Sequence, residues 1–72
     1  MFYFFNRGSD YVRCEIRPSI LTNGFYEIAI TEPGGAERVE SFESSDEAHR
    51  HWLRVQQQFL QQGWWGPHGQ RD

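Results

Sequence analysis

The chain predicts an α+β domain: an antiparallel sheet of three to four strands in ββββα order, with one C-terminal amphipathic helix packed on one of its faces. Three observations predict it. Two segments, Tyr11 to Arg17 and Phe25 to Thr31, alternate apolar and polar residues with the period of two that marks a strand covered on one side. Runs of turn residues, among them Arg7-Gly8-Ser9-Asp10, Asn23-Gly24 and Pro33-Gly34-Gly35, separate the extended segments. One long stretch after them repeats its apolar residues at spacings of four, three and four.

The first strand spans Phe2 to Asn6 and carries four rings in succession, Phe2-Tyr3-Phe4-Phe5. A tight polar connection follows it and closes a hairpin. In the second strand Val12, Cys14 and Ile16 point one way, and Tyr11, Arg13, Glu15 and Arg17 the other. Pro18 lacks an amide proton and stops that strand. The third segment places Tyr26, Ile28 and Ile30 on one face and Phe25, Glu27, Ala29 and Thr31 on the opposite one. The fourth, about Glu37 to Phe42, is irregular in pattern: Val39 and Phe42 are three apart, which predicts a bulge or an early stop near Ser41.

Ser44-Ser45-Asp46-Glu47 reads as a capping box, and its acidic residues sit where the helix dipole favours negative charge. The helix is expected over about Ser45 to Gln62. Ala48, Trp52, Val55 and Phe59 form its apolar stripe, with Leu53 and Leu60 widening it, and Gly63 is a natural residue to end it. Residues 1–65 thus make one small domain, and 66–72 read as a flexible tail. Of the adjacent Trp64 and Trp65, one ring can fold back onto the core.

At 72 residues, folding buries only about 60% of the surface of the unfolded chain, so domains of this size commonly lean on disulfides, metals or association. Cys14 is the single cysteine, which excludes an intrachain disulfide. His49 and His51 are two apart on a helix and cannot converge on one ion, so no metal and no cofactor is expected. Self-association is the remedy the composition leaves open. No segment approaches the roughly 20 apolar residues of a membrane span, and the N-terminal rings give way to Asn6 and Arg7 where a secretory signal would continue, so the expected location is cytoplasmic. The net charge of -3 argues against general affinity for polyanions. All seven basic residues are arginine, which reads as genome composition more than as selection for guanidinium chemistry.

No nucleophile, base and orienting group can be assembled, so the chain is not expected to be an enzyme. Cys14 lies between core residues, where a thiol acts as a small hydrophobe; Ser44 and Ser45 are explained by capping; and the glycines form no phosphate-cradling loop. The informative surface is the sheet face away from the helix, with Tyr11, Arg13, Glu15, Arg17, Phe25 and Glu27 and one alternate pair of the first strand, either Phe2 and Phe4 or Tyr3 and Phe5. The candidate partner-binding or dimer face is accordingly Tyr3, Phe5, Tyr11, Arg13, Arg17, Phe25, Trp64 and Trp65. Three readings stay open: rings and guanidinium groups forming a homodimer interface, the same groups stacking on single-stranded nucleic acid, or rings covered within the monomer by Ile20-Leu21 and a tryptophan.

The order hairpin, strand, strand, capped helix resembles the PUR repeat of the purine-rich single-stranded DNA-binding family. Its local echoes are Tyr11-Val12-Arg13-Cys14-Glu15-Ile16, Gly24-Phe25-Tyr26-Glu27-Ile28-Ala29-Ile30 and the Gly34-Gly35 turn, within roughly Phe2 to Phe59. The layout is also similar to that of short bacterial proteins built strand-then-helix. The PUR resemblance implies ββββα units that intertwine in pairs and contact nucleic acid through basic and amide residues of the sheet. The residues themselves support first a non-enzymatic interaction module that self-associates, and second a PUR-like dimer on single-stranded nucleic acid.

Overall fold

The computed structural model describes residues 1–70. The chain runs β1 (Phe2–Arg7), β2 (Asp10–Pro18), β3 (Tyr26–Thr31), β4 (Glu37–Phe42), α1 (Ser45–Gln61) and β5 (Trp65–Gln70). The strands form one antiparallel sheet in the order β4-β3-β2-β1-β5. Among the described residues the α+β class and the single helix are as the sequence predicts, and the strand count is five, not three to four.

The helix begins where Ser44 accepts the amide of Glu47 on its hydroxyl at 3.2 Å, which satisfies one of the orphan donors of the first turn. It leaves one edge of the sheet, β4, and delivers the chain to the other, β5, so it has to cross the sheet. Ala48, Trp52, Val55 and Phe59 are the residues it buries, against Phe5, Val12, Cys14, Ile28 and Ile30 of the sheet. Leu53 and Leu60 fall outside that stripe and stay nearly half exposed, because the sheet meets only the narrow side of the helix. The ring of Phe59 lies tilted against Phe5 at 4.9 Å and receives Trp64 edge-on at 5.9 Å. Full burial of a ring of this kind contributes on the order of 2–3 kcal/mol, so these three set much of the core energy.

The last strand corrects the expectation of a flexible tail over 66–72. Trp65–Gln70 pairs antiparallel with β1, with Asn6 opposite Trp65 and Phe4 opposite His68, and a bulge lies between the two pairs. Gly66 makes this possible. Its φ is 147°, and a Cβ there would stand 2.9 Å from both the Phe4 carbonyl oxygen and Phe5 Cδ2. Residues 71–72 of the expected tail lie outside the described residues.

β4 also departs from expectation. Its pairing with β3 is continuous from Glu37 to Phe42, without a bulge. Phe42, opposite Tyr26, packs at the core, whereas Val39, opposite Ala29, lies on the other face and is 43% exposed. The three-residue spacing is accommodated by two faces of a regular edge strand, not by a bend.

Candidate functional site

All of α1 lies on one side of the sheet, and the ladder fixes what the other side displays. Across β2, β1 and β5, two rows of that open face read Tyr11-Asn6-Trp65 and Arg13-Phe4-His68, and Glu15 stands opposite Phe2 in the next. Phe4 is the centre. Its ring lies 6.1 Å from Tyr11 and 4.9 Å from His68, while the Arg13 guanidinium stands 6.0 Å over the Phe2 ring. Phe2, Phe4, Tyr11 and Arg13, with Tyr3 between the two phenylalanines in the strand, line an open trough of about 250 Å³. His68 Nε2–H donates to Asn6 Oδ1 at 3.0 Å, which holds the imidazole beside Phe4.

Towards β3 the face turns from rings to charge. Arg17 donates from Nε to Glu27 at 3.0 Å and from Nη1 to Glu15 at 2.6 Å. The bond to Glu27, then that to Glu15, holds the guanidinium still more firmly in its charged form. Glu27 is 8% exposed although it faces away from the helix; the Arg17 bond supplies its partner, and among the described residues no buried side-chain nitrogen or oxygen lacks one. With Glu37 opposite Thr31 on β4, this face carries two arginines against three glutamates.

The predicted face is therefore partly relocated. Tyr11, Arg13 and Arg17 occupy it, and Trp65 is 71% exposed at its β5 edge. Tyr3 and Phe5 do not: Phe5 is fully buried beneath the helix, and Tyr3 stacks on Trp52 at 5.1 Å. Alternation along β1 gives the open face Phe2 and Phe4 instead. Trp64 is also in the core, with the Arg7 guanidinium over its ring at 4.4 Å. Phe25 stands in the loop before β3, half-buried, its amide donating to the Thr22 carbonyl at 3.2 Å and its carbonyl accepting from the Ser19 amide at 2.8 Å, apart from the Phe4 cluster. Ile20 and Leu21, 93% and 88% exposed, do not cover the rings of β1.

Sequence reasoning missed His68, because it assigned that residue to a tail. The adjacent Trp64-Trp65 pair was the available signal: in a strand, neighbouring rings point to opposite faces, so one enters the core and the other leaves it.

A second concavity of about 540 Å³ lies between the first half of α1 and the sheet corner, with Tyr3, Ile16, Tyr26 and Trp52 as its apolar lining and Asp46 and His49 among its polar residues. His51 instead lies tilted against Phe42 at 4.9 Å and 3.4 Å from Glu40, so the two histidines diverge as their spacing requires. Among the described residues no group of three His, Cys, Asp or Glu is placed to hold a metal, and no helix is long and apolar enough to cross a membrane. Cys14 has no exposed surface. Burial pushes its thiol up to about 12, with the Arg38 charge opposing the shift.

Comparison with models of known protein families, with curated proteins and with solved structures gives no match.

Proposed function

We propose that the protein is a non-enzymatic interaction module that self-associates through the open face of its sheet. The observation that carries this reading is the Phe4 cluster: Phe2, Phe4, Tyr11, Arg13 and His68 converge on the side opposite α1, where the core does not need them. Aromatic residues and arginine are the types enriched in interface centres.

Size sets the expected strength. Five strands at about 4.8 Å and six residues at about 3.3 Å make a face on the order of 500 Å² in plan. Two copies then bury on the order of 1,000 Å², at the lower limit of specific interfaces, which favours a reversible dimer over an obligate one.

Single-stranded nucleic acid is the second reading, favoured by the cluster of rings that Phe4 makes with Tyr11 and His68. Charge weighs against it. Arg17 is taken up by two carboxylates, which leaves Arg13 to neutralise phosphate on a face with an acidic balance, so little counterion release is available.

A dilution series followed by amide NMR tests the reading. Concentration-dependent shifts are expected at Phe2, Phe4, Tyr11 and Arg13, with Arg50 and Arg54 on the outer side of α1 unchanged. Shifts confined to the helix, or none up to millimolar concentration, would remove it.

A further inference from the structure

β4 is an edge of the sheet, with no neighbour on its outer side among the described residues. Its pairing with β3 is regular, and five of its six residues are exposed. The opposite edge is protected: β5 carries Pro67, which has no amide to donate, and a bulge interrupts its ladder. Two backbone bonds show where the groups of β4 point. The Glu32 amide donates to the Ala36 carbonyl at 2.8 Å, and the Ser19 amide to the Phe25 carbonyl at 2.8 Å. Because bonded and non-bonded pairs alternate along an antiparallel ladder, both bonds turn the amides and carbonyls of Arg38, Glu40 and Phe42 towards β3. Those of Glu37, Val39 and Ser41 face outward.

We infer that β4 pairs antiparallel with β4 of a second copy, about a two-fold axis perpendicular to the sheet at Val39, which joins the two sheets edge to edge. This contact goes beyond the open-face reading and does not depend on it. Self-complementarity selects both the occupant and the register. A two-fold axis sets each residue opposite the one equally far beyond its centre. Centred on Val39, the outward groups meet: Val39 opposes its equivalent and Glu37 opposes Ser41, each such pair exchanging two backbone hydrogen bonds. The positions between them form the closer, non-hydrogen-bonded pairs. There Arg38 of each copy stands opposite Glu40 of the other, on the side of the helices. Other centres lose this fit. Arg38 or Glu40 on the axis would bring inward-bonded groups together, Glu37 would oppose its own charge, and Ser41 would leave Arg38 opposite Ser44, beyond the strand.

Within one copy the two charges have only exposed partners: Arg38 lies 3.6 Å from Glu32, and Glu40 lies 3.4 Å from His51. Both remain available for an ion pair across the axis. One strand edge is a smaller contact than a standard interface, so a dissociation constant on the order of 1 mM is expected. The axis keeps both helices on one side and both Phe4 clusters on the other, so edge and face contacts are compatible and separately observable.

Amide NMR of the full chain, from about 50 µM to about 3 mM, brackets that constant and tests the pairing. In the wild type the amide protons of Glu37, Val39 and Ser41 are expected to move downfield with concentration, and those of Arg38 and Glu40, already bonded to β3, to move less. Arg38→Glu or Glu40→Arg alone sets like charges at both cross-axis pairs and is expected to raise the dissociation constant about tenfold. Both side chains are exposed, so the variants fold. An equimolar mixture of the two variants restores opposite charges at both pairs, and it is expected to recover the wild-type response. Shifts at Phe2, Phe4, Tyr11 and Arg13 with Glu37, Val39 and Ser41 fixed would overturn the edge contact and leave the open-face reading standing. The converse pattern would support the edge contact and remove that reading. Single variants that respond as the wild type does, or a mixture that stays monomeric, would overturn the pairing centred on Val39.

Discussion

The rings of Phe4 and His68 lie 4.9 Å apart at an angle of 33°, on neighbouring strands that are 64 positions apart in the chain. This contact joins the first strand to the last and completes the open face, because it places an imidazole on the far side of Phe4 from Tyr11. It exists only because β5 seats against β1, and the seat is Gly66.

Gly66→Ala is expected to lower stability by about 1–3 kcal/mol, since a methyl group would collide with the Phe4 carbonyl and the Phe5 ring at a backbone angle that L residues avoid. Thermal melting measures the loss. Hydrogen exchange is expected to show the amides of β5 losing protection before those of β2 and β3; unchanged stability with β5 still protected would contradict this account of the bulge.

Arg7 ties the same corner to the helix. Its Nη1 donates to the Gln62 carbonyl at 3.0 Å, at a helix end whose last turn has no other basic residue, while its guanidinium covers Trp64. Arg7→Ala is expected to cost about 1–2 kcal/mol, from a charged hydrogen bond to an orphan carbonyl and a cation–π contact. Arg7→Lys should recover part of it in chemical denaturation; an Arg7→Ala variant as stable as the wild type would show that neither contact matters.

Much of this fold was legible. Ser44 and Glu47 announce the helix start, Ala48, Trp52, Val55 and Phe59 its buried stripe, and Val12, Cys14 and Ile16 the inner face of β2, because each signal is local and periodic. The choice between the two alternate pairs of β1 was not legible: four consecutive rings carry no alternation, and only pairing with β2 decides that Phe5 goes in with Val12. Nor was β5, whose Gly66, Pro67 and Gly69 read as breakers. An edge strand tolerates them, since one side of it needs no partner. The candidate site inherits both gaps, which is why Phe2, Phe4 and His68 enter it only with the structure.

Cys14 makes a prediction about pH. Its thiol is raised from an ordinary 9.0 to about 12 in the folded chain, so between these values the folded state holds a proton that the unfolded state has released. Stability contributed by the neutral thiol is complete below the unfolded pKa and falls by about 1.4 kcal/mol per pH unit through that window. Urea unfolding of wild type and Cys14→Ala from pH 8 to 11 isolates the effect: the difference between them is expected to shrink as pH rises. A constant difference would mean that the buried thiol ionises without cost. At pH 8, thiol reagents are expected to label Cys14 only on unfolding.

Arg17 holds the charged half of the open face together. Arg17→Ala leaves Glu27 largely buried without its partner and is expected to destabilise by about 1–3 kcal/mol, whereas Glu15→Gln, at the more exposed end, is expected to cost less than 1 kcal/mol. The ordering of the two losses in thermal melts is the test; the reverse ordering would place the weight on Glu15.

The central claim is that the Phe4 face meets a second copy of the chain. Sedimentation equilibrium of the wild type from about 10 µM to 1 mM, at low and high salt, measures it most directly, because an apolar contact is screened little while a polyanion-type surface would respond strongly. The account predicts a weight-average mass that climbs from 8.6 kDa towards twice that value across the series, with a midpoint shifted only a few-fold by salt. A mass fixed at 8.6 kDa at every concentration would contradict it.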